Sequence, residues 1–200
     1  QVRDGALFVP GGKGGTGYFG GLITKKAYEN YQLEFEYKWG KPTYGTRKDK
    51  ARDAGVLFHC VGPNGPGPWM TSYEFQIIEG GTGDMLVVNR GPDDQGNPIT
   101  LSCEAKAVRR GGQFYYNREG ESQRFDSGRL NWWGRDPDWK DEAGFRGKQD
   151  VESPFGEWTQ CKLVAQGDSA EFFVNGELVN RVTNLNQTRG KILLQTEGAE

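Results

Sequence analysis

Between Tyr31 and Trp39 the side chains alternate without interruption: Tyr31, Leu33, Phe35, Tyr37 and Trp39 fall on one side, Gln32, Glu34, Glu36 and Lys38 on the other. Strand side chains point to opposite faces in turn, so this pattern dictates a half-buried β-strand. Further strand-like runs stand at Gly5–Val9, Gly17–Thr24, Gly55–Val61, Tyr73–Glu79, Met85–Asn89, Thr100–Cys103, Gln113–Tyr116, Trp158–Ala165, Ala170–Val174, Glu177–Val182 and Lys191–Thr196. About a dozen short strands parted by Gly, Pro, Asn and Asp turns predict an all-β sandwich or barrel. Asn175-Gly176 predicts a two-residue hairpin, because Asn-Gly adopts the left-handed conformations of a type I′ turn. Gly40–Asp53, Gly62–Pro68 and Gly120–Gly156 lack a strand period and are expected to be long loops. No capped helix and no repeat is visible, and one domain over residues 1–200 is expected.

The 31 glycines, 11 Phe, 8 Tyr and 6 Trp suit tight turns between strands better than helices with wide apolar faces. A formal net charge of −2 lacks the basic footprint that neutralises a phosphate backbone, so nucleic acid is not an expected partner. No apolar run approaches the roughly 20 residues of a membrane helix, so no membrane span is expected. The sequence opens at Gln1 without the apolar core of a secretion signal and stops at Glu200 inside a strand-like run, which leads us to expect a natural end farther on. Cys60, Cys103 and Cys161 show no C-x-x-C spacing, so buried thiols are expected rather than a disulfide framework or a zinc knot.

Three strands carry polar groups in a comparable pattern. On Tyr73–Glu79, Glu74 and Gln76 oppose Tyr73, Phe75 and Ile77; on Lys191–Glu197, Gln195 and Glu197 oppose Ile192, Leu194 and Thr196. On Gly55–Cys60, His59 shares a face with Gly55 and Leu57. If these strands lie in one sheet with their apolar faces on the core, His59, Glu74, Gln76, Gln195 and Glu197 converge on its other side. Carboxylates, amides and an imidazole bind sugar hydroxyls, and Trp69, Trp132 and Trp133 on nearby loops would stack on a pyranose or wall off water. His59, the only histidine, is also the only side chain with an ordinary pKa near neutrality. Plainer readings stand beside these. Alternate polar positions usually face solvent, as Glu34, Glu36 and Lys38 are expected to, and a lone histidine or single tryptophan is more often packing. The charged run 47–53 reads as a solvated loop, and the glycine-rich run 11–17 lacks the spacing and the helix of a phosphate loop.

At Asp53-Ala-Gly-Val-Leu-Phe-His59, Tyr73-Glu-Phe-Gln-Ile-Ile-Glu79, Gly156-Glu-Trp-Thr159, Gly167–Gly176 and Gly190-Lys-Ile-Leu-Leu-Gln-Thr-Glu-Gly-Ala-Glu200, the sequence resembles the 3-keto-disaccharide hydrolase domain family of the concanavalin-A-like lectin/glucanase superfamily. The resemblance implies a jelly-roll sandwich of two antiparallel sheets, activity on sugars oxidised at C3, a carbohydrate partner, and a secreted or periplasmic location. A C3 ketone acidifies the C2 proton; a base removes it, the aglycone leaves C1 by β-elimination, and water adds to the alkene. Glu74, Glu197 and His59 are the candidate bases, with the choice among them open. Gln76 and Gln195 would hold hydroxyls or the developing enolate oxygen, and a divalent metal held by His59 and a carboxylate would polarise the ketone. The carboxylate pair of a conventional glycosidase is not expected, since the same-face positions after Glu74 are Gln76 and Ile78. The rivals on the same fold are a non-catalytic, lectin-like carbohydrate-binding module and a structural domain with an idle polar face.

Overall fold

The computed structural model of the chain describes residues 1–12, 19–64 and 69–200. Its strands are β1 (Val2–Arg3), β2 (Ala6–Leu7), β3 (Phe19–Ile23), β4 (Tyr31–Tyr37), β5 (Asp53–Val61), β6 (Thr71–Ile78), β7 (Met85–Val88), β8 (Cys103–Arg110), β9 (Gln113–Tyr116), β10 (Glu121–Phe125), β11 (Gly128–Leu130), β12 (Thr159–Gln166), β13 (Ser169–Val174), β14 (Glu177–Val182) and β15 (Lys191–Glu197). The helical content among the described residues is a single 3-10 turn at Gly45–Arg47.

Six strands pair in the order β11-β7-β6-β5-β15-β3 and four in the order β14-β13-β12-β4, with small sheets β10-β8-β9 and β1-β2 alongside. Every strand pairing is antiparallel. The chain passes between the two larger sheets from β3 to β4, from β4 to β5, from β11 to β12 and from β14 to β15, giving the expected jelly-roll sandwich. Val56, Phe58, Phe75 and Met85 of one sheet meet Leu163, Phe172 and Val174 of the other in one buried cluster. Phe75 stacks on Phe172 at 4.6 Å and meets Phe35 edge-on at 5.6 Å, so aromatic contacts lock the two layers face to face.

The alternating segment of the sequence is β4, whose half-buried Tyr31, Leu33, Phe35 and Tyr37 alternate with exposed Gln32, Glu34 and Glu36. Asn175 and Gly176 have φ of 47° and 85° and join β13 to β14, as a type I′ turn requires. The three cysteines are buried and unpaired.

Two expectations need correction. The predicted loop Gly120–Gly156 contains β10 and β11, and the strand expected at Thr100–Cys103 begins at Cys103 and runs to Arg110. In β8 the inward positions are Cys103, Ala105 and Ala107, which are too small to register as an apolar stripe. Residues 13–17 of the glycine-rich run, Gly17 and Tyr18 of the run called as a strand, and residues 65–68 of the loop Gly62–Pro68 lie outside the described residues.

The central strands are buried on both faces: all of β6, and all of β5 except Ala54. One face is the sandwich core. The other is the outer face of the six-stranded sheet.

Candidate active site

Gly55 on β5 pairs with Gln76 on β6 and with Gln195 on β15, so these three residues form one row across the sheet. Asp53, Glu74 and Glu197 stand two positions from Gly55, Gln76 and Gln195 respectively, and the period of two puts them on the same outer face. A Cβ at Gly55 would lie 2.2 Å from Glu74 Oε1 and 2.8 Å from Gln195 Oε1. Glycine is required there because two side chains converge over its Cα.

Beside this polar row, Leu57, Cys60, Met70 and Leu193 form a second buried cluster, with Ile23 and Trp69 packed against it. The Trp69 indole Nε1 donates to Glu197 Oε1 at 3.1 Å, and its ring meets Phe19 at 5.7 Å. The acids therefore sit against an apolar wall that lowers the local dielectric.

Gln195 Nε2 also donates to Glu197 Oε1. Gln76 Nε2 donates to Asp53 Oδ1 at 2.6 Å and to the Ala54 carbonyl at 3.1 Å, while Gln76 Oε1 accepts from Arg129 Nη2 at 3.0 Å. Arg129 Nη1 donates to Asp84 Oδ2 at 2.7 Å, which fixes the guanidinium. Burial pushes the Glu74 carboxyl up from 4.5 to about 8; the negative charge of Glu197 adds to this and Arg129 opposes it. Burial also raises Asp53, as do Glu197 and Glu74, against the nearby Arg47 and Arg129 guanidinium groups. Near neutral pH the row thus holds Glu74 in its protonated form, ready to act as an acid.

Of the residues singled out in the sequence, Glu74, Gln76, Gln195, Glu197 and Trp69 are together at this site. Gln76 is not free to bind substrate, since its amide is committed to Asp53, Ala54 and Arg129. His59 lies elsewhere. Bulges interrupt the β5–β6 ladder between Phe58 and Val61 and the β15–β5 ladder between Lys191 and Leu193, and His59 takes φ 51°. A bulge changes the parity of the strand. The imidazole accordingly turns inward, 5.9 Å from Tyr31 of the opposite sheet, with Nδ1 2.9 Å from the Gln187 carbonyl oxygen. Burial lowers its pKa to about 4, so it stays neutral.

Among the described residues no carboxylate hydrogen-bonds His59, and no group of three or more His, Cys, Asp or Glu is placed to hold a metal ion. The side chains present do not fit the metal that the sequence suggested at His59. Replacing His59 by Gln is expected to cost about 1–3 kcal/mol of stability in urea unfolding while leaving kcat/KM of the folded protein unchanged.

Trp132 and Trp133 are also misplaced by the sequence reading. Trp132 is 1 % exposed in the sandwich core, and Trp133 meets it edge-on at 5.4 Å and donates Nε1 to the Leu178 carbonyl at 3.1 Å. Both pack, Trp132 within the core and Trp133 half-buried against it, and Asp84 Oδ1 accepts the Trp132 backbone N–H at 2.8 Å just beyond β11. Asp53 and Arg129 belong to the site and were missed. The alternation Asp53, Gly55, Leu57 could have revealed the first; Arg129 sits on a strand with too few residues to show a period. The far face of the four-stranded sheet bears a shallow depression of about 360 Å³ rimmed by Glu34, Glu36, Gln160 and Lys162, without a buried acid among them.

The whole chain, residues 1–200, matches the model of the family described as the 3-keto-alpha-glucoside-1,2-lyase-like domain. Among curated proteins none matches the sequence. Similar solved structures include a protein from Parabacteroides distasonis described as a candidate glycosyl hydrolase, at 17 % identity over 88 % of this chain and 70 % of that one, with a TM-score of 0.45. The carbohydrate-binding module CBM66 of Bacillus subtilis is 8 % identical over 90 % of this chain and 75 % of its own, with a TM-score of 0.46. A Bacillus licheniformis β-glucanase is 14 % identical over 90 % of this chain and 58 % of its own, with a TM-score of 0.40. On the match along its full length, the chain belongs to the 3-keto-alpha-glucoside-1,2-lyase-like domain family, a family of carbohydrate-active domains.

Proposed function

We propose that this domain cleaves 3-keto-glycosides by elimination across C1 and C2 followed by hydration, with Glu197 as base and Glu74 as acid. The observation that supports this reading is the pair itself: two carboxyls on one buried face, one driven toward the protonated form and the other held by neutral N–H donors.

In this reading Glu197 takes the C2 proton, and the electron pair moves into the C2–C3 bond and onto the C3 oxygen. Collapse of the enolate forms the C1–C2 alkene and breaks the C1–O bond, and Glu74 gives its proton to the departing oxygen. The pair has then exchanged one proton. Hydration reverses the exchange: Glu74 takes a proton from water as its oxygen joins C1, and Glu197 returns a proton to C2. Arg129, half-buried and held by Asp84 and Gln76, is the cation available to the developing enolate oxygen.

The test is a 3-keto-glucoside carrying deuterium at C2. The expected result is a primary kinetic isotope effect on kcat/KM; equal rates for the two isotopologues contradict C2 proton abstraction. The acid assignment further predicts that kcat/KM falls as pH rises through about 8, the value to which burial drives Glu74. A rate that rises across that pH would make Glu74 the base instead.

A further inference from the structure

The two amides that flank Gly55 are arranged alike but satisfied differently. Each gives its Nε2 to a carboxylate, Gln76 to Asp53 and Gln195 to Glu197. Gln76 Oε1 receives the Arg129 guanidinium, whereas Gln195 Oε1 is buried and has no hydrogen-bond partner among the described residues. Gln195 is 2 % exposed, so solvent does not readily supply one.

The carboxyl of Glu74 comes close to Gln195 Oε1 over Gly55. Both oxygens crowd the point where a Gly55 Cβ would stand, at 2.8 and 2.2 Å. Two acceptors aimed at one spot repel unless one of them carries a hydrogen. An amide oxygen carries none. Turning the Gln195 amide over would set its oxygen against Glu197 and remove a donor from that carboxylate, so the orientation is fixed by Glu197. Of the two groups, only the Glu74 carboxyl, which burial drives toward its protonated form, can carry that hydrogen.

We propose that Gln195 is the positioning residue of the pair: its Oε1 accepts the acid proton of Glu74 while its Nε2 orients Glu197. This deepens the proposed function and rests on it. One rigid amide then holds acid and base in fixed relation over Gly55. Once Glu74 has given up its proton, its carboxylate is left facing Gln195 Oε1 with no hydrogen between them. That repulsion favours taking a proton back from water, as hydration demands. The charged groups around Glu74 are Glu197, Asp53 and Arg129, with Arg47 behind Asp53.

The experiment is infrared difference spectroscopy below pH 7, the wild type minus Glu74→Gln, which isolates the carbonyl stretch of a protonated Glu74. In Gln195→Met, which keeps the volume and removes both polar groups, the band is expected to move to the higher frequency of a carboxyl that donates to nothing. Loss of the amide's two hydrogen bonds, from Glu74 and to Glu197, should also lower kcat roughly ten- to hundredfold with KM unchanged. Gly55→Ala pushes the two oxygens apart without removing either side chain, so it should move the band in the same direction, and it decides the matter if Gln195→Met does not fold. A band present in the wild type but unmoved in either variant overturns the positioning role alone. Absence of the band from the wild type overturns the acid assignment of Glu74 and this inference with it.

Discussion

Replacing Glu74 by Gln is expected to cut turnover by orders of magnitude and, above about pH 4.5, to make the protein harder to unfold. Glu74 is 3 % exposed, and no donor among the described residues hydrogen-bonds its carboxyl, so its ionised form is costly inside the fold. Its pKa is raised from 4.5 to about 8, and between these values the folded state binds more protons than the unfolded one. Stability from this group is complete below the lower value and is lost as pH rises through the upper. Glutamine has the same shape and no such titration. Unfolding free energies from urea titrations should coincide for the two proteins near pH 4 and part as pH rises. Above pH 8 the variant should lead by on the order of a few kcal/mol. Below pH 8, where the wild-type Glu74 carries its proton, kcat/KM of the variant should be lower by about 10²–10⁴, the usual contribution of a positioned acid. A gap that does not change with pH would mean that Glu74 is not buried in its neutral form.

Replacing Trp132 by Ala is expected to act in the opposite sense. The indole fills the core beneath β11, and a Cβ on Gly134 would come within 2.3 Å of it, so the neighbouring backbone is shaped to the ring. Truncation should cost about 3–5 kcal/mol. For a domain of this size that lowers Tm by roughly 6–20 °C. Well below that temperature kcat/KM should hold. A tryptophan that stacked on sugar would behave otherwise, losing affinity with little change in Tm.

The contrast between these two residues shows what could be read from the chain. Along β6 and β15 the register from Glu74 to Gln76 and from Gln195 to Glu197 is free of bulges, so counting by twos finds their common face. The same counting fails at His59, four residues past Gly55, because the β5 bulge lies between Phe58 and Val61. A bulge is a property of the pairing of two strands and leaves no mark on the period of either. Gln76 shows a second limit: its face was legible, but its full commitment to Asp53, Ala54 and Arg129 depends on neighbours that lie 22 to 53 residues away. Trp132 and Trp133 follow a three-residue strand in a segment of polar composition, so nothing local marks Trp132 for the core it enters or Trp133 for its half-buried place against that core.

The central claim is that the outer face of the six-stranded sheet performs chemistry that needs a C3 ketone. Its most direct test is release of the aglycone from a 3-keto-glucoside and from the unoxidised parent glucoside, each offered to the purified wild-type domain and to Glu74→Gln. The account predicts release from the keto-sugar by the wild type alone. Cleavage of the parent at a comparable rate would contradict the elimination route, and saturable binding of both sugars without release of either would make the domain a carbohydrate-binding module.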